Sequence, residues 1–262
     1  MIEMSVLEDN HGTEISIVIG IKRLERTSLS FAIISMLLLF SQSLSSNFVT
    51  QVFAFINAMY EGILVQEEMV EKLTILIREE AMNLLISGVI LIASFILSLL
   101  SLFRYGLPGF SDLRKWRSRD FSSGVFLFKV GSIGGLVSLT LAITTLSHII
   151  YIICTTFSLS EQSLLEMALS GISLLVGLIL VLLGSIGVTI VFFKLGKISG
   201  IRLFYVPGVL LLIGVLLSIL TTVYDLSIFA IAWILAYIAF RSLHKSYPRL
   251  KMTENTSLPF PE

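Results

Sequence analysis

Six stretches of the chain are apolar over lengths close to that needed to cross a bilayer, and this constrains the fold more than any other feature. A spanning helix needs about 20 mostly apolar residues. The stretches cover residues 28–47, 81–103, 130–151, 167–193, 203–223 and 226–243, the last one short for a span. Lipid offers backbone N–H and C=O groups no partners, so each stretch must satisfy its own by forming a helix. Barrel strands would alternate polar and apolar residues over about ten positions, and these stretches do not. Composition agrees: 55% of the residues are hydrophobic and 14% charged, against about 25% charged in soluble domains. The single cysteine, Cys154, permits no internal disulfide and no cysteine-based metal site. A mixed segment of 27 residues precedes the first stretch, so that stretch is expected to stay as an anchor, not to be cleaved as a signal. The expected fold is all-α and polytopic, a six-helix transmembrane bundle over residues 28–245. Residues 1–27 form a cytoplasmic amino-terminal segment and residues 246–262 a cytoplasmic polar tail.

The charges sort by connection. Sixteen of the 18 Lys and Arg residues lie before span one, between spans two and three, between four and five, or after six. With nine acidic residues on that side, its net charge is +7. The other connections hold only Lys72 and Arg78 against nine carboxylates, a net charge of −7. Lys and Arg accumulate on the cytoplasmic side of membrane proteins. Both termini are therefore expected in the cytoplasm of a cell membrane that the chain crosses several times. The densest cluster, "SDLRKWRSRDF" at residues 111–121, carries Arg114, Lys115, Arg117 and Arg119 beside Trp116. It reads as a topology anchor that is also compatible with anionic head groups. No domain large enough to dock on a duplex surrounds it, so nucleic acid is not an expected partner.

The spans are poor in chemistry. None of the six apolar cores contains Asp, Glu, Lys or Arg. His148, about 27 Å along span three, is expected near the outer interface, snorkelling or hydrogen-bonded there, rather than in a proton relay. Ser170 sits in "LSGIS" with no base following it in the later spans. Glu67 and Glu68 resemble the glutamate pair of membrane prenyl-protein proteases, but they lie outside the membrane and have no partner histidines. His11, His148 and His244 are too scattered to form one cluster. The expectation is a chain with no catalytic, cofactor-binding or metal-ligating residues and no cofactor, hence not an enzyme.

Small residues stand out instead. Gly131, Ser132, Gly134 and Gly135 open span three, and Gly184, Ser185 and Gly187 lie late in span four. In antiparallel helices the two motifs share a depth, and small residues let backbones approach where lipid supplies no hydrophobic drive. A functional alternative is a narrow path lined by Ser132, Thr140 and Ser185. The outer half of span one gathers Ser41, Gln42, Ser43, Ser45, Ser46 and Asn47, which are expected to face other helices or outer water; they are the best polar candidates for a solute path, the alternative being that they simply emerge at the outer surface.

Between spans one and two, Val49, Val52, Phe53, Ile56, Tyr60 and Ile63 recur with helical spacing. The pattern resumes with Val70, Leu73, Ile77, Ala81 and Leu84, and Glu68 and Lys72 add an i, i+4 pair. Spans one and two are thus expected to extend past the outer leaflet as an acidic helical hairpin turning near Gly62; the competing arrangement lays residues 48–63 flat in the outer interface, against which the glutamates from Glu67 to Glu80 favour standing in water. The hairpin's apolar stripes would pack on each other or on a partner, either a second copy of the chain or another membrane protein. The lipid bilayer is the other partner.

"GIKRLERTSLSF", "GFSDLRKWRSRDFSSGVFLFKVGSIGGL" and "LGSIGVTIVFFKLGKISGIRLFYVPGVLLLIG" occur in this order. Together they resemble an archaeal family of multi-span integral membrane proteins defined only as a domain of unknown function. The resemblance covers residues 20–244 and implies an archaeal cell membrane and one six-span domain. It carries over no activity and no site residues. The expected role is structural or interactive, with a channel or permease for a small uncharged solute as the alternative. Reporters fused after Trp116 and after Lys251 are expected to stay cytoplasmic, and one after Glu68 to be external. A cytoplasmic signal at Glu68 overturns the six-span arrangement.

Overall fold

The computed structural model describes residues 2–62, 66–156, 161–220 and 225–256. Seven α-helices account for nearly all of them: α1 (Ile2–Tyr60), α2 (Gln66–Ser101), α3 (Leu107–Trp116), α4 (Ser118–Thr156), α5 (Glu161–Ser199), α6 (Tyr205–Leu220) and α7 (Asp225–Thr256). A π-turn, Leu102–Gly106, joins α2 to α3, and a 3₁₀ turn, Arg202–Phe204, leads into α6. Five helices are long and apolar enough to cross a membrane, and α6 is a shorter apolar sixth. The chain is thus an all-α polytopic bundle, as the apolar stretches required. The first helix is longer than expected. It is continuous from Ile2, through the segment placed before span one, and runs about 88 Å at 1.5 Å per residue. Likewise α7 continues to Thr256, past the expected start of the tail.

Local sequence explains the breaks. Pro108 lacks an N–H and its ring clashes with the carbonyl four residues back. The chain answers with the wider π-turn directly before it. Arg117, with φ −137 and ψ 80, is the corner between α3 and α4. Its carbonyl accepts from the N–H groups of Asp120 and Phe121. Gly62 has φ 72, a left-handed conformation that glycine adopts at no steric cost, and it sits at the turn after α1, where the sequence placed it.

Two planes of polar contacts bracket the helices. At one end lie Arg23–Asp112, Lys194–Asp120 and His244–Glu25. At the other, Glu80 accepts from Asn47 and Asn83, each at 2.7 Å, and His148 meets Glu166 at 2.8 Å. Along α1, Arg23 and Asn47 are about 36 Å apart; along α5, Glu166 and Lys194 are about 42 Å apart. Both spacings suit a hydrocarbon core of about 30 Å with part of each head-group layer. We call the two ends the basic and acidic faces. His148 is hydrogen-bonded, one of the two states expected of it, and lies in the acidic plane.

The helix pairs use different small residues. Along α2, the buried residues Ser87, Ser94 and Ser101 recur every seven positions and form a stripe facing α1. Among the described residues, Ser28, Ser35 and Ser41 are the buried serines of α1. Ser41 and Ser87 share a hydrogen bond of 2.7 Å between their hydroxyls. Ser41 is therefore packing between helices, not part of a solute path. Between α4 and α5 the contact is glycine on glycine. A Cβ at Gly131 would overlap the Gly184 backbone, and one at Gly187 would lie 2.5 Å from the Phe128 nitrogen. Gly134 meets only the side chain of Leu180, so the close approach expected there belongs to Gly131.

The bundle is tight at the basic face and split at the acidic one. Near the basic face α5 buries Val188, Val191, Phe192 and Leu195 in the main core. Nearer the acidic face, among the described residues, it buries Ser170, Ser173 and Gly177, the last of which abuts α4. There α4 packs on α5 and α2 on α1. The α6–α7 pair does not bridge them at that level, since α7 begins at Asp225, about 24 Å from Arg241 on the basic face.

Gly131→Leu or Gly184→Leu is expected to cost about 1–3 kcal/mol or more through overpacking. Gly171→Leu, in open space, is expected to be near neutral. Thermal melting in detergent checks this. Equal melting for all three variants would place the α4–α5 contact elsewhere.

Candidate functional site

The most elaborated region lies at and just inside the basic face. Asp112, on α3, has a side chain only 8% exposed. Arg23 of α1 donates to it at 2.6 Å, and Lys115 lies 3.7 Å away on the same helix. Two glycines let α1 and α3 come this close. A Cβ at Gly20 would lie 2.9 Å from that of Asp112, and one at Gly109 would lie 2.9 Å from Leu24. The basic cluster thus holds a structural acid at its centre, with Arg114, Arg117 and Arg119 left facing out. Sequence alone marked the cations and missed Asp112. Its one local signal is the i, i+3 spacing to Lys115.

Beneath this layer aromatic rings form a floor. Phe110 of α3 packs on Phe128 of α4 with centroids 4.2 Å apart. Phe192, Phe204 and Phe240 of α5, the 3₁₀ turn and α7 form a triangle with separations of 5.1 to 6.1 Å. All five rings belong to one buried cluster with Ile17, Ile21 and Leu24 of α1.

Above the floor is a cavity of about 280 Å³. Phe110 and Phe128 close its basic end. Phe31 of α1, stacked on Trp233 of α7 with centroids 4.9 Å apart, forms one wall. Ser98 of α2, Ser132 and Leu139 of α4, and Ser185 of α5 form the others. Thr27, Ser98 and Ser185 all donate to carbonyls four residues back in their own helices. Satisfied in this way, the hydroxyls leave the lining predominantly hydrocarbon. Two residues of the expected path, Ser132 and Ser185, do line this space. Thr140 is exposed and donates to the Leu136 carbonyl of its own helix.

The other sequence candidates stand apart from the cavity. Ser170 donates to the Ala142 carbonyl at 3.0 Å and ties α5 to α4. Glu68 is exposed, and the Glu67 side chain is outside the described residues. His244 pairs with Glu25 at 3.2 Å on the basic face; the side chain of His11 is outside the described residues. Among the described residues, no three His, Cys, Asp or Glu side chains gather as a metal site.

Apolar helices of spanning length, bracketed by two charged planes and held by small residues, define a multi-pass α-helical membrane protein. Within that class, the chain belongs to the family described as "Protein of unknown function (DUF973)", which matches residues 18–261. No curated protein and no solved structure matches it.

Removing one partner of a buried charged hydrogen bond costs about 1.5–3 kcal/mol. Asp112→Ala is expected to lose about 2 kcal/mol, and Arg23→Ala somewhat less because Arg23 is partly in solvent. The double variant should lose no more than Asp112→Ala alone, since the two side chains act as a unit. Denaturant titration of the helical signal checks this. Additive losses would mean that the pair is not coupled.

Proposed function

We propose that this chain is a non-catalytic interaction protein of an archaeal cell membrane, with its basic face in the cytoplasm and both termini there. The packed basic half acts as the base, and the α1–α2 hairpin as the arm that meets a partner. The observation that carries this reading is the surface of that arm. On the far side of the Asn47–Glu80 contact, Leu76 is buried between the helices. Val49, Phe53, Ile75 and Ile77 point outward instead, with Phe53 60% exposed. Exposed apolar side chains rimmed by glutamates are the pattern of an interaction surface. Of the stripe residues the sequence marked, Val49, Phe53 and Ile77 are exposed and Val52 and Leu73 half-buried, while the buried Leu76 lies outside that pattern. Ile56, Tyr60, Ile63 and Val70 belong to that pattern, but their side chains are outside the described residues.

A permease for a small uncharged solute is the second reading, supported by the cavity. Against it, the cavity is closed toward the basic face by Phe110 and Phe128. In a Cys154→Ser background, a cysteine at Phe53 is expected to cross-link to a neighbouring chain in native membranes. The purified protein in liposomes is expected to pass glycerol and urea no faster than empty liposomes. Fast flux without any cross-link would overturn the interaction role in favour of the permease.

A further inference from the structure

We infer that the cavity holds one hydrocarbon chain of an anionic membrane lipid, with the lipid head group seated on the basic face. Three observations point to this occupant. The first is shape. On α4 the lining runs from Phe128 to Leu139, about 16 Å along the helix. That is close to half of a hydrocarbon core of about 30 Å, the depth of one leaflet. The slot lies along the helices, parallel to lipid chains, and an apolar space takes up a hydrocarbon guest in preference to water.

The second observation is access. Leu91 and Ser98 lie seven residues apart on one face of α2. Ser98 lines the cavity, whereas Leu91 is 50% exposed. α2 packs on α1 and the π-turn, and α4 on α3 and α5. The space between α2 and α4 is therefore open sideways to lipid.

The third is charge. On α4, Ser132 and Leu136 face the cavity, while Phe126, Ile133 and Val137 face outward. Lys129 falls on the border between these faces, at the basic end. Arg114 lies one turn along α3 from Phe110, which floors the cavity. Neither cation makes an ion pair or an aromatic contact among the described residues. Arg23, Lys115 and Lys194 are paired with carboxylates, and Arg26, Arg104, Arg117 and Arg241 lie against aromatic rings; among the described residues, Lys22, Arg119, Lys197, Arg202 and Lys245 are as free as Lys129 and Arg114, and it is position beside the cavity that singles out these two. Two unpaired cations beside the closed basic end of the slot complement a phosphate whose chain enters sideways between α2 and α4.

The chain supplies its own probe, because it has only two tryptophans. Trp116→Phe leaves Trp233, in the cavity wall, as the sole emitter. The full-length protein would be placed in zwitterionic vesicles containing a minor fraction of chain-brominated lipid, anionic in one series and zwitterionic in the other. The anionic lipid is expected to quench Trp233 more strongly at equal fraction. Lys129→Gln should weaken its apparent affinity about fivefold, the effect of one cation near a membrane surface. Ser132→Phe, which fills the slot, should abolish the difference between the two lipids. Ser185→Leu, on the opposite wall, should do the same and guards against one variant failing to fold. Equal quenching by both lipids overturns the proposal. So does a preference that survives both filling variants while helicity and melting stay unchanged.

Discussion

The contact between Arg23 and Asp112 is what the rest of the structure depends on. α3 is the element that packs against both α1 and α4 on the basic face. A carboxylate nine-tenths withdrawn from solvent must be paired, or it neutralises or unfolds its surroundings. Arg23 is the group that meets this need, and Gly20 and Gly109 remove the side chains that would hold α1 away from it. Once α3 is fixed there, Phe110 falls onto Phe128, and the first and second halves of the bundle share one core. An ion pair in this position is weak evidence for stability by itself, because desolvation offsets much of its attraction. Its value lies in register. One charge at one depth sets how far α1 projects on either side.

Projection then follows from length. With Arg23 held at the basic face, α1 still has 37 residues to run before Tyr60, about 55 Å. The hydrocarbon uses about 30 Å of that. The excess must leave the membrane on the acidic side, where α2 returns along it through the Ser41–Ser87 contact and the Glu80 amide pairs. Serine pairing suits such a hairpin. Each hydroxyl of the pair also reaches the backbone carbonyl of the other serine, at 3.2 Å, so neither of the two is stranded at the contact.

Much of this was legible in the sequence because the membrane simplifies the reading. Apolar length gave the spans, charge bias gave the two faces, and Gly62 marked the hairpin turn. Depth counting put His148 at an interface, where it meets Glu166. What was not legible depends on which of several similar residues meet across helices. Gly131 and Gly134 are alike in sequence, yet only Gly131 faces the Gly184 backbone, because helix rotation is decided by the whole α4–α5 stripe. Ser41 and Ser132 both looked like polar positions within spans. One is packing and the other lines a cavity, because α1 has a partner at that depth while α4 leaves a gap toward α2. Asp112 was hidden by its neighbours, since its burial comes from α1, nearly ninety positions away in the chain. The extension of α1 back to Ile2 was not legible either, because a mixed charged segment reads as a separate element until something continuous with it is seen.

The cavity is a consequence of these same choices. Close helix pairing in lipid is bought with glycine and serine, and these residues are spent on the α1–α2 and α4–α5 pairs. The small residues that remain between the pairs, Ser98, Ser132 and Ser185, line the gap without meeting across it. Between them stand bulky side chains, Phe31, Trp233 and Leu139, which cannot interdigitate unless a third layer presses them together. The α6–α7 pair supplies that layer beside the basic face, through Phe204 and Phe240, and begins its return about 24 Å away from it. The two pairs are therefore clamped at one end and free at the other, and a space between them is the geometric result. Empty volume in an interior costs dispersion contacts on every wall, and within a membrane the nearest material able to restore them is a lipid chain.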